Sequence, residues 1–299
     1  MKNATNNPKD HRLGLRVLGY WVLIFFIYWI INLILGVIPN WIMTHLAFSD
    51  DMRIYLGSTL TYGLRLVAII ALSAWALRKV IGENPWKLMF PRKDWWKDLL
   101  FGFILTFMVV FLIFILEIKS GWLVVENWKW QIVPSDSFFR NMWLALLINL
   151  SVAVGEEMMF RGFLLSGLKR AWGTINAILI MVVIFAALHL IVSGADETFP
   201  LFFILLLTVP GFVLGWAFLR TRALWLPIAI HFTWNLLQDE IFNLASRDTS
   251  TLFGAVTQQN GPPWIVGTSY GMEVGAAGVL GMIIIGIAVW LWTRKKQAE

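Results

Sequence analysis

The chain of 299 residues contains no cysteine. Without thiols it can form neither a disulfide nor a thiolate zinc site, and it offers no cysteine nucleophile. Any catalytic or ligand-binding chemistry must therefore use carboxylates, imidazoles, amides or hydroxyls.

Charged residues are also scarce, at 14% of the chain, whereas 59% of the residues are apolar and the mean hydropathy is +0.71. These values exclude an ordinary soluble domain and predict an integral membrane protein in a lipid bilayer. A helix crosses a bilayer with about 20 apolar residues. Breaks in hydropathy give spans at about 18–38, 58–77, 98–116, 141–168, 174–192, 200–219, 223–240 and 272–293. The sequence therefore predicts an all-α fold, a polytopic membrane helix bundle of about eight transmembrane helices.

The bundle is predicted to be a single transmembrane domain at residues 18–293, with a catalytic core at about 141–240. Residues 1–17 precede it as a polar tail that we expect to be disordered, and residues 294–299 follow it as a basic tail. Because the first span lacks a cleavage site of small residues, it is expected to be a retained helix and not a signal peptide.

The net charge of +6 does not indicate a nucleic-acid partner, because lysines and arginines are spread over the segments between spans and form no basic face. Their distribution indicates orientation instead. With a cytoplasmic N-terminus, all 24 basic residues lie on the cytoplasmic side except Arg53, Arg65, Lys119, Lys129, Arg140 and Arg247. Both termini are therefore predicted to be cytoplasmic.

Polar side chains at membrane depth are the candidates for function. Placing an ionisable group there costs roughly 2.5–3.5 kcal/mol, so such a group is expected to face a protein interior or a water-filled cavity. A single histidine in a membrane helix can equally make an interhelical hydrogen bond. Two histidines beside paired glutamates point more strongly to a site. The candidate residues are Glu156, Glu157, Arg161, His189, His231 and Asn235.

Helical spacing divides the roles within this set. Glu157 and Arg161 are four residues apart with the acid first, which is the spacing of an ion pair on one helical face. Glu156 lies about 100° around the same helix. The simplest division makes Glu157 and Arg161 a supporting ion pair and leaves Glu156 free for chemistry, although the reverse division also satisfies the spacing. His231 and Asn235 are likewise four apart and share one face.

A carboxylate beside imidazoles in a restricted cavity is suited to the activation of water. The carboxylate can act as a general base, and a histidine can protonate a leaving amine. An imidazole N–H and an asparagine amide can stabilise a tetrahedral oxyanion. This combination of groups predicts the hydrolysis of an amide bond.

A metal site is the alternative use of the same residues. Two histidines and one glutamate are the ligands of several catalytic zinc sites, so Glu156, His189 and His231 are the ligands expected if a divalent metal such as zinc is bound. The short His-Glu-x-x-His motif of zinc proteases is absent, so the ligands would come from three helices. The pattern leaves open whether Glu156 alone or a metal ion activates the water.

The polar residues fall into three motifs, each on its own predicted helix. The motifs are Glu156-Glu157-x-x-x-Arg161, Phe185-x-x-x-His189 and His231-x-x-x-Asn235. Together, over about 155–235, they resemble the signature of the CPBP family of intramembrane proteases. This family, also called ABI, contains the type II CAAX prenyl endopeptidases and bacteriocin-processing enzymes.

The resemblance implies an intramembrane endopeptidase. By analogy Glu156 would activate water with the help of His189, while His231 and Asn235 would hold the oxyanion. Members of the family have been described both as metalloproteases and as metal-independent glutamate proteases. The implied substrate is a peptide or membrane protein, lipidated in the eukaryotic relatives, which remove the last three residues of prenylated CAAX proteins. Many bacterial relatives are linked to peptide maturation, bacteriocin immunity or regulated proteolysis, and we expect this chain in a bacterial plasma (inner) membrane.

A non-enzymatic function is the alternative to this interpretation. A transporter or a peptide-binding immunity protein could bury the same residues as a proton or ligand site, although no internal repeat of the transporter kind is visible.

The depth of His189 differs from what the resemblance implies. At ~1.5 Å per residue, His189 lies about 22 Å along its helix from Thr174, which places it nearer the outer face. The eukaryotic relatives are expected to open toward the cytosol. Either the fifth helix begins later than hydropathy suggests, or the cavity reaches past the middle of the membrane.

Overall fold

A computed structural model describes residues 10–89, 94–192, 201–244, 252–268 and 271–294. Its helices are α1 (His11–Thr44), α2 (Asp50–Ala76), α3 (Pro85–Met89), α4 (Trp95–Lys119), α5 (Lys129–Ile132), α6 (Ser135–Glu156), α7 (Ser166–Trp172), α8 (Thr174–Val192), α9 (Leu201–Thr221), α10 (Trp225–Asn235), α11 (Pro263–Val266) and α12 (Ala276–Arg294). Three π-helical segments continue α2, α6 and α10, at Leu77–Ile81, Glu157–Leu165 and Leu236–Ile241. A short 3₁₀ turn covers Met272–Val274.

The fold is the predicted polytopic helical membrane bundle. In the described part of the chain, five helices are long and apolar enough to cross a membrane: His11–Thr44, Asp50–Ile81, Trp95–Lys119, Ser135–Trp172 and Ala276–Arg294. Two shorter apolar helices, at Thr174–His189 and Leu205–Thr221, correspond to the fifth and sixth predicted spans. The seventh predicted span is α10 with its π-helical continuation.

The ends of the bundle differ from the predicted boundaries. The predicted tail 1–17 is partly helical, because α1 begins at His11, where the Asp10 side chain caps the helix by accepting a hydrogen bond from Leu13 N at 2.9 Å. A capped first turn lets a helix begin in polar sequence before its apolar part. Residues 1–9 lie outside the described residues. At the other end α12 continues through Arg294, and residues 295–299 are likewise not described.

The lysines and arginines are spread along the sequence and predict no basic face, but the fold collects the segments that carry them on one side of the bundle. We call this side the basic face, and it comprises the first turn of α1, the end of α2, α3, α7, the α9–α10 turn and the end of α12. Hydrogen bonds between these segments place them together: Asp10 N to Ala171 O (3.1 Å), Arg170 Nη1 to Ile81 O (2.7 Å), Leu224 N to Leu88 O (3.0 Å) and Arg220 Nε to Thr293 Oγ1 (2.9 Å). Their lysines and arginines predict that the same segments lie on the cytoplasmic side. If the chain crosses the membrane eight times, these segments all lie on one side of it, and the hydrogen bonds between them agree with that prediction.

The opposite face carries a small antiparallel sheet that the sequence analysis did not predict. Strand β1 (Leu123–Trp128) follows α4, and strand β2 (Ala255–Gln259) lies between α10 and α12. A hydrogen bond from Gln259 Nε2 to Glu117 Oε2 at 2.9 Å joins β2 to the end of α4. The connections that follow the third and the seventh spans therefore lie on the same side of the membrane, as an even number of crossings between them requires.

Two apolar clusters fill the interior. One joins α1, α2, the Glu157–Leu165 segment and α8, and the other joins α4, α9, α10 and α12. Close helix packing depends on small residues in membrane bundles. At Gly167, for example, an added Cβ would lie 2.6 Å from Val17 Cγ2, so α7 and α1 could not keep their separation with any larger residue.

Candidate active site

The first motif lies where a long helix changes its hydrogen-bonding pattern. Glu156 is the last residue of α6, and the π-helical segment begins at Glu157. Every side chain from Glu157 to Leu165 is buried. The hydroxyl of Ser166 donates to Arg161 O at 3.1 Å. π-helical geometry inside an α-helix is frequent at functional sites, and here it begins directly after Glu156.

Glu157 is held by two donors from different helices. Its Oε1 atom accepts hydrogen bonds from Arg161 Nη1 at 2.8 Å and from His231 Nδ1 at 2.9 Å. The side chains of Glu157 and Arg161 are both 0% exposed. The ion pair expected from the four-residue spacing is therefore present, and the same carboxylate also fixes His231. Because a carboxylate only accepts, His231 Nδ1 carries the proton of this bond.

Arg161 connects the first motif to the second. Its guanidinium lies 4.8 Å from the centre of the Phe185 ring and donates through Nη2 to Gly211 O of α9 at 3.2 Å. Cation–π contacts of this kind strengthen when both partners are removed from water. One turn further along α8, His189 Nδ1 donates to Phe185 O at 2.9 Å. The structure thus brings all three sequence motifs into contact around one buried ion pair.

The two adjacent glutamates have different surroundings. The side chain of Glu156 is 28% exposed, whereas that of Glu157 is fully buried. Glu156 Oε2 is buried, lies 4.0 Å from His231 Nε2 and has no hydrogen-bond partner among the described residues. A separation of this size between two polar atoms is suited to a bridging water. Glu156 is therefore the glutamate whose side chain lines the cavity and whose buried oxygen is left for a water to bond.

A cavity of about 640 Å³ contains the predicted catalytic residues Glu156, His189, His231 and Asn235 in its lining. The lining also contains polar residues outside the three motifs, which are Tyr62, Asn149, Gln238, Asp239, Glu240, Asn243 and Glu273. Two features of the sequence indicate some of them. Asn149 precedes Glu156 by two helical turns and so shares its face, and Gln238-Asp239-Glu240 is a polar run at the end of an apolar span.

The extent of the cavity explains why His189 lies near the outer end of its helix. Helix α8 begins at Thr174, as hydropathy indicates, so a later helix start does not account for the position of His189. The cavity extends along α8 from Phe185 to His189 and also reaches Asn243 and Leu252, beyond the end of α10. Of the two explanations, the structure supports a cavity that reaches past the middle of the membrane.

The predicted metal ligands do not form a complete ligand set in this geometry. Within the described residues, no three histidine, aspartate or glutamate side chains are grouped closely enough to hold one metal ion. His231 Nδ1 is already bonded to Glu157, which leaves Nε2 of His231 and Oε2 of Glu156 as a pair of donor atoms. A catalytic zinc ion takes three protein ligands, so Glu156, His189 and His231 do not fit one as they stand.

The bundle is that of an integral multi-pass membrane protein with a carboxylate–imidazole cluster buried in its interior. A family model described as type II CAAX prenyl endopeptidase Rce1-like matches residues 138–237, a stretch that holds all three motifs. This part of the chain is an Rce1-like domain, and the resemblance to the CPBP family of intramembrane proteases is confirmed. The type II CAAX proteases of this family are hydrolases, so this domain supports the enzyme class that the sequence predicted. Comparisons with curated proteins and with solved structures found no match.

Proposed function

We propose that this protein is an intramembrane endopeptidase that cleaves a hydrophobic peptide or a membrane protein, a substrate class that includes lipidated CAAX-type chains. The observation that carries the proposal is the position of Glu156. Its side chain lines a cavity within the membrane bundle, and its buried Oε2 atom lies 4.0 Å from Nε2 of His231 without a hydrogen-bond partner among the described residues. This gap suits one water molecule, which is the second reactant of a hydrolysis.

Glu156 is the general base of the proposed reaction. It takes a proton from a water held between its Oε2 atom and His231 Nε2, and the hydroxide attacks the carbonyl carbon of the scissile bond. Glu157 is a poor candidate for this step, because its buried carboxylate already accepts two hydrogen bonds. The proton on Glu156 then passes to the leaving amine as the C–N bond breaks.

His231 and Asn235 are proposed to stabilise the oxyanion that forms on the attacked carbonyl. Since Nδ1–H of His231 donates to Glu157, only Nε2 can face the substrate. Nε2 donates a hydrogen bond only when the ring is doubly protonated. After Glu157 pairs with Arg161, the cluster retains the negative charge of Glu156, and a protonated imidazole balances that charge.

His189 is proposed to assist the reacting water or the leaving amine. Its Nδ1–H is used by the carbonyl of Phe185, so in the neutral ring Nε2 is a hydrogen-bond acceptor. An acceptor in the cavity wall can hold one hydrogen of the water while Glu156 removes the other. The bond to Phe185 also fixes the orientation of the ring.

The proposed reaction is independent of a metal, and chelation tests this. We expect cleavage by the purified protein to persist after incubation with a strong chelator and removal of the chelated metal, because the groups that activate water and hold the oxyanion are side chains. Metal content should be measured on the same samples. Loss of cleavage that is restored by added zinc would contradict the metal-independent mechanism.

Comparative membrane proteomics tests the function itself. Cells that produce the wild type should accumulate new peptide termini that are absent from cells producing His231→Ala at the same membrane level. The ring of His231 supplies the proposed oxyanion donor, so its removal should abolish the cleavage. Identical sets of termini in the two strains would argue against a protease. We expect the protein in a bacterial plasma membrane, and fractionation of the same cells tests this location.

A further inference from the structure

One end of the cavity is closed by packed apolar side chains, and the other end is lined by polar groups. On the side of the basic face, the residues that follow Glu156 and Glu157 are packed without space. Phe160, Phe163 and Leu164 are at most 2% exposed, and Leu224 and Ile228 fill the facing side at 0% and 2%. Arg161 is fully buried among them. Protein interiors packed in this way contain few voids larger than one water molecule, so this end of the cavity is sealed.

On the other side, polar groups line the cavity beyond His231 and Asn235. Asp239 and Glu240 lie on the π-helical continuation of α10, and Asn243 and Glu273 lie just beyond it and near the start of α12. We call these four residues the mouth. The carbonyl of Asn243 accepts a hydrogen bond from Thr257 Oγ1 of β2 at 2.8 Å, so the mouth lies directly beside the sheet of the opposite face.

Ionisable side chains in a membrane bundle line water-filled paths because burial in lipid is costly. A path with carboxylates at one end and a packed apolar layer at the other leads to a single side of the membrane. That side is the face of β1 and β2, not the basic face. By the distribution of lysine and arginine the basic face is cytoplasmic, so the mouth belongs to the extracytoplasmic side.

We propose that the cavity opens to the extracytoplasmic side and receives polypeptide segments presented from that side, such as exported hydrophobic peptides or the outer ends of membrane-protein helices. This proposal rests on the proposed peptidase function for its substrate and on the packing of the cavity for its direction. It accounts for the position of His189 near the outer end of α8.

The charge of the cavity lining restricts which substrate segments can bind in the cavity. The described lining residues include Glu156, Asp239, Glu240 and Glu273 but no lysine or arginine. Carboxylates attract positive charge and repel negative charge. The lining beyond His231 therefore favours substrate segments that carry positive charge next to their apolar part.

Cysteine accessibility tests the direction, and the cysteine-free wild type provides the blank. Asp239→Cys at the mouth and Val152→Cys, in the lining one turn before Glu156, report on the cavity. Glu126→Cys on β1 and Lys87→Cys on α3 are exposed controls for the two faces. A membrane-impermeant maleimide is applied to spheroplasts and to inverted membrane vesicles, and each variant is first shown to be inserted and monodisperse in detergent.

We expect Asp239→Cys and Val152→Cys to react in spheroplasts, together with Glu126→Cys, and to lose labelling in inverted vesicles, where Lys87→Cys reacts. Reaction of the cavity variants together with Lys87→Cys would overturn the proposal. It would also be overturned if neither cavity variant reacts from either side while both controls do. Because labelling does not depend on turnover, this result is separate from the proteomic test. A protein that labels as expected but releases no new termini would refute the peptidase and keep the direction of opening.

Discussion

Replacement of Glu156 by glutamine is expected to abolish peptide-bond cleavage while the protein remains folded and inserted. Glutamine keeps the size and shape of the side chain but replaces one accepting oxygen by a donating NH₂ group and cannot accept a proton from water. General-base groups contribute about 10²–10⁴-fold to a rate, so turnover should fall by that factor. The measurement is the initial rate on a substrate peptide identified from the proteomic comparison, in detergent or in liposomes.

Glu117→Gln is the matched control for this variant. Glu117 is another buried carboxylate on a membrane helix, and it contacts Gln259 at the opposite face and not the cavity. The same chemical change there should leave cleavage near the wild-type rate. Full activity of Glu156→Gln, with the control also active, would contradict the assignment of Glu156 as the base.

Replacement of Arg161 by methionine is expected to cause the largest loss of stability. Methionine preserves much of the side-chain volume but leaves the fully buried Glu157 carboxylate without its cation. Breaking one partner of a buried ion pair costs about 3–5 kcal/mol. The contacts of Arg161 with Phe185 and Gly211 are lost as well. The free energy of unfolding in detergent, or the midpoint of thermal unfolding, gives the measurement.

Two controls separate the buried charge from a general effect of substitution. The double variant Arg161→Met with Glu157→Gln removes both charges and should recover part of the lost stability, because no uncompensated carboxylate remains. Arg140→Met breaks an ion pair with Asp136, whose side chain is 69% exposed, and should cost less than about 1 kcal/mol. An Arg161→Met variant as stable as Arg140→Met would contradict a structural role for the buried pair.

Much of the bundle could be predicted from the sequence because hydropathy and basic residues report directly on membrane helices. The segments assigned to one side by their lysines and arginines are joined in the structure, for example by the bond between Arg170 and Ile81 O. The pairing of Glu157 with Arg161 followed from a four-residue spacing. Convergence of the three motifs was expected from their resemblance to a family signature, since spacing within one helix says nothing about contacts between helices.

Other features had no local signal. The bond between His231 and Glu157 joins residues on two helices that are far apart in sequence, and no periodicity relates them. The π-helical segment after Glu156 reads as ordinary helical sequence, because it contains no proline to mark a change of hydrogen bonding. Strands β1 and β2 have only six and five residues and lie in connections rich in tryptophan and glutamine. The alternation of apolar and polar residues over so short a stretch is too weak to predict a strand. The direction of the cavity depends on packing and could not be derived from helix boundaries alone.

The sheet limits how the mouth can widen for a substrate. Its backbone hydrogen bonds tie the chain that follows α4 to the chain between α10 and α12, and the contact of Gln259 with Glu117 secures the same corner. These elements form a fixed rim along one side of the opening. The rest of the lining comes from membrane helices, among them α2, α6, α8, α9 and α12, which contribute for example Tyr62, Ile148 and Met282. A bulky peptide can therefore gain room by displacing such helices sideways into the lipid, whereas the corner that the sheet secures stays in place.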